Sequence, residues 1–330
     1  MNHSVKNPPS SVRAPSASVD LLDALGIDAV DSNISPLSKQ EAIDFPLRVT
    51  PEFTSRMQRG DPNDPLLRQV LPVSAETEIH KGFRDDPVGD LQSVVSTGML
   101  QKYHGRALLI LTGACAIHCR YCFRRTYPYS DGSVTRRELE QTLRQIKSDT
   151  TLEEIILSGG DPLMLSNTKL NKVLSELGNI EHLKRIRIHT RIPVVSPGRI
   201  DTSLIQALKQ CKKPIVVVIH CNHAAEIDDE AGQALIVLGQ CTEHLLNQSV
   251  LLRGVNDSAD ALTDLSNALF KYGVLPYYIH QLDQVTGTAH FKVDDHKALQ
   301  LIKQTAEKLP GYLVPKLVRE TAGEKSKRPL

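Results

Sequence analysis

Short apolar runs alternate with amphipathic segments along the chain from about residue 107 onward. The apolar runs are rich in Leu, Ile and Val and have the length of buried strands. They predict six strands, at residues 107–112, 154–158, 185–190, 215–220, 245–250 and 277–282. The segments between them carry apolar residues at helical spacing and predict helices that include 202–209, 228–239, 259–272 and 295–309. Strand and helix units in series predict a parallel α/β sheet.

Polar residues that can do chemistry fall at one recurring place, the end of a predicted strand. Three cysteines follow the first strand, and a Ser-Gly-Gly-Asp-Pro turn follows the second. The later strands contain, or are followed by, His189, Arg191, His220, His223, Asn247, Gln248 and Asp283. The carboxyl ends of parallel strands meet at one rim of a barrel, where active sites of this architecture are assembled. The pattern therefore predicts one active site.

Composition narrows the class of protein. The 330 residues are enough for one large domain or two small ones. A formal net charge of +1 argues against nucleic-acid binding through bulk charge, and no apolar run has the length of a membrane span. Residues 1–20 are rich in Ser, Pro and Asn and lack the apolar core of a signal peptide. We therefore expect a flexible leader and a cytoplasmic location, where thiols remain reduced.

The most informative motif is the C-x3-C-x2-C spacing of Cys115, Cys119 and Cys122. Three thiolates can hold three irons of a cubic [4Fe–4S] cluster and leave the fourth iron open for chemistry. A zinc site is one alternative, although zinc usually takes four ligands. His118 could be the fourth zinc ligand, but it lies between two of the cysteines, where its ring would crowd the thiolates. Three buried structural thiols are the other alternative.

Three further features lie near the predicted rim. Gly159 and Gly160 allow the backbone to approach a ligand closely, or they form a simple tight turn. Arg124 can grip a carboxylate through two parallel N–H bonds, whereas charge balance explains Arg125 better. Asp283 can pair with a ligand ammonium or cap a helix, and the sequence alone leaves both readings open.

Together these segments are similar to the lysine 2,3-aminomutase family of radical S-adenosylmethionine (SAM) enzymes, which also use pyridoxal 5'-phosphate (PLP). The resemblance begins near Leu47 and runs to the C-terminus. Its matching segments are 47–51, 61–65, the cysteine loop, 158–163, 191–195, 220–223, 247–257 and 276–278. It implies an α/β fold, a radical SAM partial (β/α)6 TIM-like barrel with a helical N-terminal region and a short C-terminal PLP-lysine tail. The expected division is a leader at 1–20, the helical region at 21–100, the core barrel at 101–310 and the tail at 311–330.

The resemblance also implies which residues bind the iron–sulfur cluster and SAM. The cluster would be held by the three cysteines of the C-x3-C-x2-C motif, and its open iron would bind the amino and carboxylate groups of SAM. The residues implied for SAM binding are Gly159, Gly160, Asp161, His220 and Gln248.

For PLP, the resemblance identifies Lys327 as the residue that forms the Schiff base. Lys325 is a competing candidate that lacks the family match. Composition alone would describe this polar tail as frayed and solvated. Lys102, Tyr103 and Arg106 fall where relatives place residues near PLP, and the two basic residues would hold its phosphate.

For the substrate, the resemblance implies that Arg124 binds the α-carboxylate of L-lysine and that Asp283 binds its ε-ammonium. Relatives have a second aspartate for this ammonium, and the chain has Glu320 at that position. The extra methylene predicts looser recognition. The glycine-rich run that relatives have before the Schiff-base lysine is also replaced, which predicts a different closure of the tail.

The implied activity is that of an isomerase, the conversion of L-α-lysine to (R)-β-lysine by a 2,3-amino shift. Ornithine is an alternative substrate because it differs by one methylene, whereas glutamate should need a basic residue in place of Asp283. The alternative outside enzymes is an iron–sulfur or zinc protein that binds a partner.

The short length and the segment 311–317 point to the branch of the family that makes (R)-β-lysine for modification of elongation factor P. That branch implies an indirect link to elongation factor P through a β-lysine ligase. It also implies a one-electron donor of the flavodoxin or ferredoxin type. No nucleic-acid or membrane partner is expected. A homo-oligomer is compatible with the resemblance, and the sequence does not determine the oligomeric state.

Overall fold

The computed structural model describes residues 17–129 and 135–330, and its strands form one open sheet. The strands are β1 (Val94–Ser96), β2 (Met99–Tyr103), β3 (Arg106–Thr112), β4 (Glu154–Gly159), β5 (Arg185–Thr190), β6 (Ile215–His220), β7 (His244–Val250), β8 (Leu275–His280), β9 (Lys316–Arg319) and β10 (Arg328–Pro329). Their order in the sheet repeats their order in the chain. Strands β3 to β9 are parallel neighbours, and antiparallel pairs add β2 and β1 at one edge and β10 at the other.

The helices lie mainly between the parallel strands, as the sequence predicts. They are α1 (Ser18–Leu25), α2 (Pro51–Ser55), α3 (Pro65–Arg68), α4 (Arg136–Ser148), α5 (Asn167–Gly178), α6 (Ile192–Val195), α7 (Thr202–Lys209), α8 (Asp229–Gly239), α9 (Ala259–Lys271) and α10 (Asp295–Lys308). The predicted starts of α7 to α10 hold to within one residue because a side chain caps each one. The capping residues are Asp201, Asp228, Ser258 and Asp294.

The parallel strands are buried on both faces, which is typical of an α/β sheet covered by helices. Leu109, Leu157, Ile188 and Val217 come from four neighbouring strands and are buried in one common core. The sheet does not return to its first strand, so β1 and β10 remain edges. The predicted α/β partial-barrel fold is confirmed.

The predicted strands agree with the structure to within one residue, except the last one. Strand β8 begins and ends two residues earlier than predicted, because Pro276 does not exclude strand pairing here. The proline pairs with Asn247 where the register between β7 and β8 shifts, a position that tolerates a residue without an N–H group. Strand β9 is an additional parallel strand that was not predicted, since four residues give no clear apolar run.

The region before the barrel consists of short helices joined by loops. The predicted leader spans residues 1–20, of which 1–16 lie outside the described residues. Helix α1 begins at Ser18, and its residues Leu21, Leu22 and Leu25 are buried in the main core. Between residues 21 and 100 the α-helices α2 and α3 are only one turn each, so loops form most of this predicted helical region. No helix in the part of the chain that the structure describes is long and apolar enough to span a membrane.

Candidate active site

A cavity of about 410 Å³ opens at the carboxyl ends of the parallel strands. Its volume lies in the range that is usual for cofactor and substrate sites. All residues that the sequence predicts for the site line this cavity: Lys102, Tyr103, Arg106, Cys115, Cys119, Cys122, Arg124, Gly159, Gly160, Asp161, His220, Gln248, Asp283, Glu320 and Lys327. Two other rim residues, Asn247 and His223, do not. Asn247 bonds both the backbone N–H and the carbonyl of Cys221, and His223 caps a turn.

The cysteine loop packs directly on the turn that contains Gly159 and Gly160. The N–H of Gly160 donates to the carbonyl of Thr112 at 2.7 Å, and that of Asp161 donates to the carbonyl of Ala114 at 2.8 Å. A Cβ atom on Gly160 would lie 2.3 Å from the Ala114 oxygen, and one on Gly159 would lie 2.6 Å from the Thr112 oxygen. No other residue type can make this approach. The glycines therefore fix the cysteine loop, besides lining the cavity.

The three thiols fit a cubic iron–sulfur cluster. They lie on one loop at the cavity wall, and none of them is in a disulfide. Burial, followed by the charge of Cys119, raises the pKa of Cys122 to about 11, and burial likewise raises the pKa of Cys115. Among the described residues no group of three His, Cys, Asp or Glu side chains converges on one metal ion. A cluster does not need such convergence, because each thiolate binds a different iron.

A buried polar network lies behind Cys119. The guanidinium of Arg191 donates to the Cys119 sulfur, to the Tyr121 hydroxyl at 2.6 Å and to Glu226 at 2.9 Å. The Tyr121 hydroxyl lies 2.8 Å from Nε2 of His220. Burial, followed by the charge of Arg191, lowers the pKa of His220 to about 3, so this imidazole is neutral. The network holds His220 at the cavity wall and was not predicted, except for the presence of Arg191 at the rim.

The carboxylate of Asp161 is engaged in hydrogen bonds within the protein. The oxygens accept hydrogen bonds from the Thr190 hydroxyl at 2.8 Å, from the Arg191 N–H at 2.7 Å and from the Leu163 N–H at 3.0 Å. These bonds tie the end of β4 to the end of β5. Burial is the largest cause of the raised pKa of Asp161. Any contact of this turn with SAM would therefore involve backbone atoms more readily than this carboxylate.

Arg124 is held by an acidic residue that the sequence analysis missed. Its Nε donates to Oδ2 of Asp90 at 2.6 Å, and Nη1 lies 3.4 Å from the Ser158 hydroxyl. Burial alone would lower the pKa of Arg124, but the charge of Asp90 raises it above its usual range. Because Nε is engaged, the two terminal nitrogens remain for a ligand carboxylate. By contrast, Arg125 pairs with Glu76 and does not line the cavity.

Lys327 enters the cavity from the C-terminal hairpin. Strand β10 pairs with β9, so the tail is folded back on the sheet and is not frayed. The Lys327 ammonium donates to Oε2 of Glu320 at 3.0 Å and lies 6.0 Å from the centre of the Tyr278 ring. Lys325 is exposed and does not line the cavity. Of the two lysines that competed in the sequence, Lys327 alone reaches the site.

Two carboxylates near Lys327 have pKa values shifted in opposite directions: that of Glu320 is lowered and that of Asp283 is raised. Glu320 contacts Lys102 and Lys327; burial opposes ionisation, but these two cations hold its pKa well below the usual range. None of the described residues donates a hydrogen bond to the carboxylate of Asp283. Burial, followed by the charge of Glu320, raises the pKa of Asp283 to about 7. Asp283 is thus an unpaired acid beside an ionised one, an arrangement that a cationic ligand would stabilise.

The remaining predicted residues form the side walls. The Arg106 guanidinium lies 5.5 Å from the centre of the Tyr103 ring. Burial and the charge of Glu320 raise the pKa of Tyr103 above its usual range, so the phenol stays protonated. Gln248 pairs in the sheet with both His220 and Tyr278. His189, His280 and Tyr277 also line the cavity, although no site role was predicted for them.

The geometry agrees with comparisons to known proteins. The profile of the radical SAM superfamily matches residues 109–236, which contain the three cysteines and the glycine turn. The L-lysine 2,3-aminomutase of Escherichia coli (strain K12) is 47% identical over 311 residues, covering 94% of this chain and 90% of that protein. The enzyme of the same name from Buchnera aphidicola is 45% identical and covers 86% of this chain and 83% of its own length.

More distant relatives extend the comparison. The L-lysine 2,3-aminomutase of Clostridium subterminale is 34% identical over 285 residues, covering 86% of this chain and 68% of that protein. A solved radical SAM methyltransferase from Sphaerobacter thermophilus is 15% identical and covers 67% of this chain and 68% of its own, with a TM-score of 0.49. The similarity extends over 94% of the chain for the Escherichia coli aminomutase and over 86% for the Buchnera aphidicola one. The chain belongs to the lysine 2,3-aminomutase family of radical SAM enzymes.

Proposed function

We propose that this protein converts L-α-lysine to (R)-β-lysine as a radical SAM, PLP-dependent 2,3-aminomutase. The observation that carries the proposal is a single cavity whose walls carry three thiols, the Arg124 guanidinium, the Lys327 ammonium of the C-terminal hairpin and the unpaired acid Asp283. The names of the relatives support the same activity.

The residues present fit the three cofactors of the family. Cys115, Cys119 and Cys122 would hold the [4Fe–4S] cluster, and Lys327 would hold PLP. Arg106 supplies a cationic group for the PLP phosphate. When bound, the cluster and SAM supply a carbon-centred radical, and PLP carries the migrating amino group. The protein contributes position, charge and exclusion of water.

The two ends of the cavity suit the two ends of lysine. The terminal nitrogens of Arg124 can bind the α-carboxylate in a bidentate manner, and Asp283 can pair with the ε-ammonium. A substrate held at both ends has its reacting carbons fixed between the thiols and Lys327, which lowers the entropic part of the barrier. The neutral His220 and the wall residue Gln248 would contact SAM beside the glycine turn.

The finer assignment follows from the family branch. This chain is 47% identical to the Escherichia coli relative and 34% identical to the clostridial one. The greater similarity to the Escherichia coli enzyme supports a role in making β-lysine that a separate ligase attaches to elongation factor P. We also propose a flavodoxin- or ferredoxin-type electron donor, a cytoplasmic location and a core barrel at 101–310.

Ornithine is the second candidate substrate, and Glu320 is the observation that favours it. A glutamate reaches farther into the cavity than an aspartate, so the acidic end lies closer to Arg124 and would suit a shorter diamino acid. Both substrates should therefore be tested.

The test is anaerobic reconstitution with iron, sulfide and PLP, followed by incubation with SAM, dithionite and either L-lysine or L-ornithine. Chromatography on a chiral phase would identify the product. We expect (R)-β-lysine from the wild type, none from Cys119→Ala or Lys327→Ala, and normal amounts from Lys325→Ala, the matched exposed control. SAM cleavage without a lysine product would reject the substrate, and failure to assemble a cluster would reject the radical SAM assignment of the cysteines.

A further inference from the structure

The environment of Lys102 differs from that of a phosphate-binding residue. Three protein oxygens lie within 2.9 Å of its ammonium nitrogen: the Val88 carbonyl at 2.9 Å, Glu320 Oε1 at 2.9 Å and Asp90 Oδ1 at 2.5 Å. The first two contacts are directed hydrogen bonds, and the third is an ion pair. An ammonium has three N–H groups. The protein therefore takes two N–H groups of Lys102 in directed hydrogen bonds and holds its charge against Asp90, which leaves this ammonium poorly placed to bind a cofactor phosphate.

These contacts connect Arg124, at the carboxylate-binding end of the proposed substrate site, to Glu320 at its acidic end. Asp90 is buried and pairs through its other oxygen with Nε of Arg124 at 2.6 Å. Glu320 pairs through its other oxygen with Lys327. The result is an unbroken row of alternating charges: Arg124, Asp90, Lys102, Glu320 and Lys327. Residues that are far apart in the sequence are in this way held at one fixed spacing.

We propose that Lys102 is a positioning residue that sets the length of substrate the enzyme accepts. It fixes Glu320 relative to Arg124 through Asp90, so the acidic end of the site cannot move toward or away from the carboxylate-binding end. With Lys327 in the Schiff base that PLP would form, Lys102 would be the ammonium that remains on Glu320. Glu320 Oε2 would then be open to the substrate ammonium, next to Asp283. This inference rests on the proposed function.

The charges explain why a neutral side chain cannot replace this lysine. Burial opposes ionisation of Asp90, and the charges of Arg124 and Lys102 hold its pKa below the ordinary range. Without Lys102, Glu320 loses one of the two cations that keep it ionised, and in the PLP-loaded enzyme it loses the only one in this row. Glu320 would then move or become protonated, and the fixed span would be lost.

The experiment compares Lys102→Met with Lys102→Arg and Arg106→Met. PLP binding is measured by absorbance titration, and binding of L-lysine and L-ornithine is measured on PLP-loaded protein without SAM. We expect Lys102→Met to keep PLP affinity. The ratio of its affinities for L-lysine and L-ornithine should move roughly tenfold toward one, since one methylene contributes discrimination of this order. Lys102→Arg should retain the preference because it keeps the charge, and Arg106→Met should lose PLP affinity.

A loss of PLP affinity in Lys102→Met equal to that in Arg106→Met, with unchanged preference, would overturn the inference and assign Lys102 to the phosphate. If Lys102→Met does not fold, Asp90→Asn breaks the same row from the other side and must lower the preference as well. Wild-type protein that binds neither amino acid would refute the proposed function and this inference together. Wild-type protein that binds L-lysine with a preference that neither variant alters would refute the inference alone.

Discussion

Two parts of the cavity are built in different ways: the part around the three cysteines, called here the cluster end, and the part around Asp283, Glu320 and Lys327, called here the substrate end. The cluster end is made of local segments: a loop with three cysteines and a turn with two glycines, which touch through backbone atoms. The substrate end is made of charged side chains from distant segments, such as Lys102 and Glu320, which are 218 positions apart. Backbone contact at the cluster end tolerates no added atom, whereas ion pairs at the substrate end can be adjusted by single side chains. Under the proposed function, main-chain geometry would thus fix the position of the cluster, and side-chain charge would set the choice of substrate.

The largest effect is expected from Gly160→Ala at the cluster end. The new Cβ would lie 2.3 Å from the Ala114 oxygen, so the cysteine loop must move. Overpacking of this kind costs about 3 kcal/mol, and we expect little or no bound iron after reconstitution. Iron and sulfide analysis together with the visible spectrum would measure this. Gly198→Ala is the matched control, because nothing lies within 4 Å of its added Cβ. Normal iron content in Gly160→Ala would show that the glycine contact is not needed.

At the substrate end, Asp283→Asn should affect binding but not the cluster. The variant removes the one unpaired carboxylate identified at this end and should weaken L-lysine binding by roughly 100-fold, as for a lost buried charge pair. Iron content should equal that of the wild type. Glu324→Gln, at an exposed acid on the C-terminal tail, is the control. Lysine affinity that is unchanged in Asp283→Asn would remove this residue from the substrate site.

The pH dependence should separate the two ends as well. In the proposed function the substrate ammonium pairs with ionised Asp283, whose pKa is raised to about 7. We therefore expect the kcat/KM for L-lysine to fall about tenfold per pH unit below pH 7. In Asp283→Asn this acidic limb should disappear from any residual activity. A limb that persists in the variant would assign the titration to another group.

The same pKa shift predicts an effect on the substrate-free protein. Between about pH 4 and 7 folded Asp283 retains a proton that the unfolded chain loses, so this group makes the free energy of unfolding fall as pH rises through that range. Above pH 7, Asp283→Asn should therefore be more stable than the wild type in thermal denaturation. A melting temperature of the variant below that of the wild type at pH 8 would contradict the raised pKa.

The smallest effect is expected from Glu320→Asp, which shortens one side chain of the charged row. The carboxylate would retreat by one methylene from Lys102 and Lys327. We expect a shift of a few-fold, roughly the lower end of what one methylene contributes, in the ratio of L-lysine to L-ornithine affinity. PLP affinity should not change. Isothermal titration with both amino acids would measure the ratio. An identical ratio in wild type and variant would show that this acid does not discriminate between substrates of different length.

The contrast between the two ends also explains how much the sequence could predict. The strands of the barrel were predicted because apolar runs recur between helical segments, and the cysteine loop because its spacing is local. Asp90 and Glu226 were missed because each is an isolated acid outside the predicted strands and helices, and its buried arginine partner lies 34 or 35 positions away. Asn247 and Gln248 are adjacent in β7, so the pleat places their side chains on opposite faces of the strand. Asn247 bonds the backbone of Cys221, and Gln248 lines the cavity. The positions of the strand ends did not separate these two residues, whereas the family resemblance named Gln248 alone for SAM binding.

The agreement between strand order in the sheet and order in the chain has a consequence for how the protein is made. Synthesis proceeds at roughly 5–20 residues per second, so each emerging strand can join an edge that the previous strand has left open. The wall that carries the cysteine loop can form while β9 and β10 are still to come. The substrate end needs Lys102 from β2 and Glu320 from the segment after β9, so it closes last. Under the proposed substrate assignment, the charged row that would set selectivity can therefore be completed only after the strands that carry the cysteine loop have been synthesised.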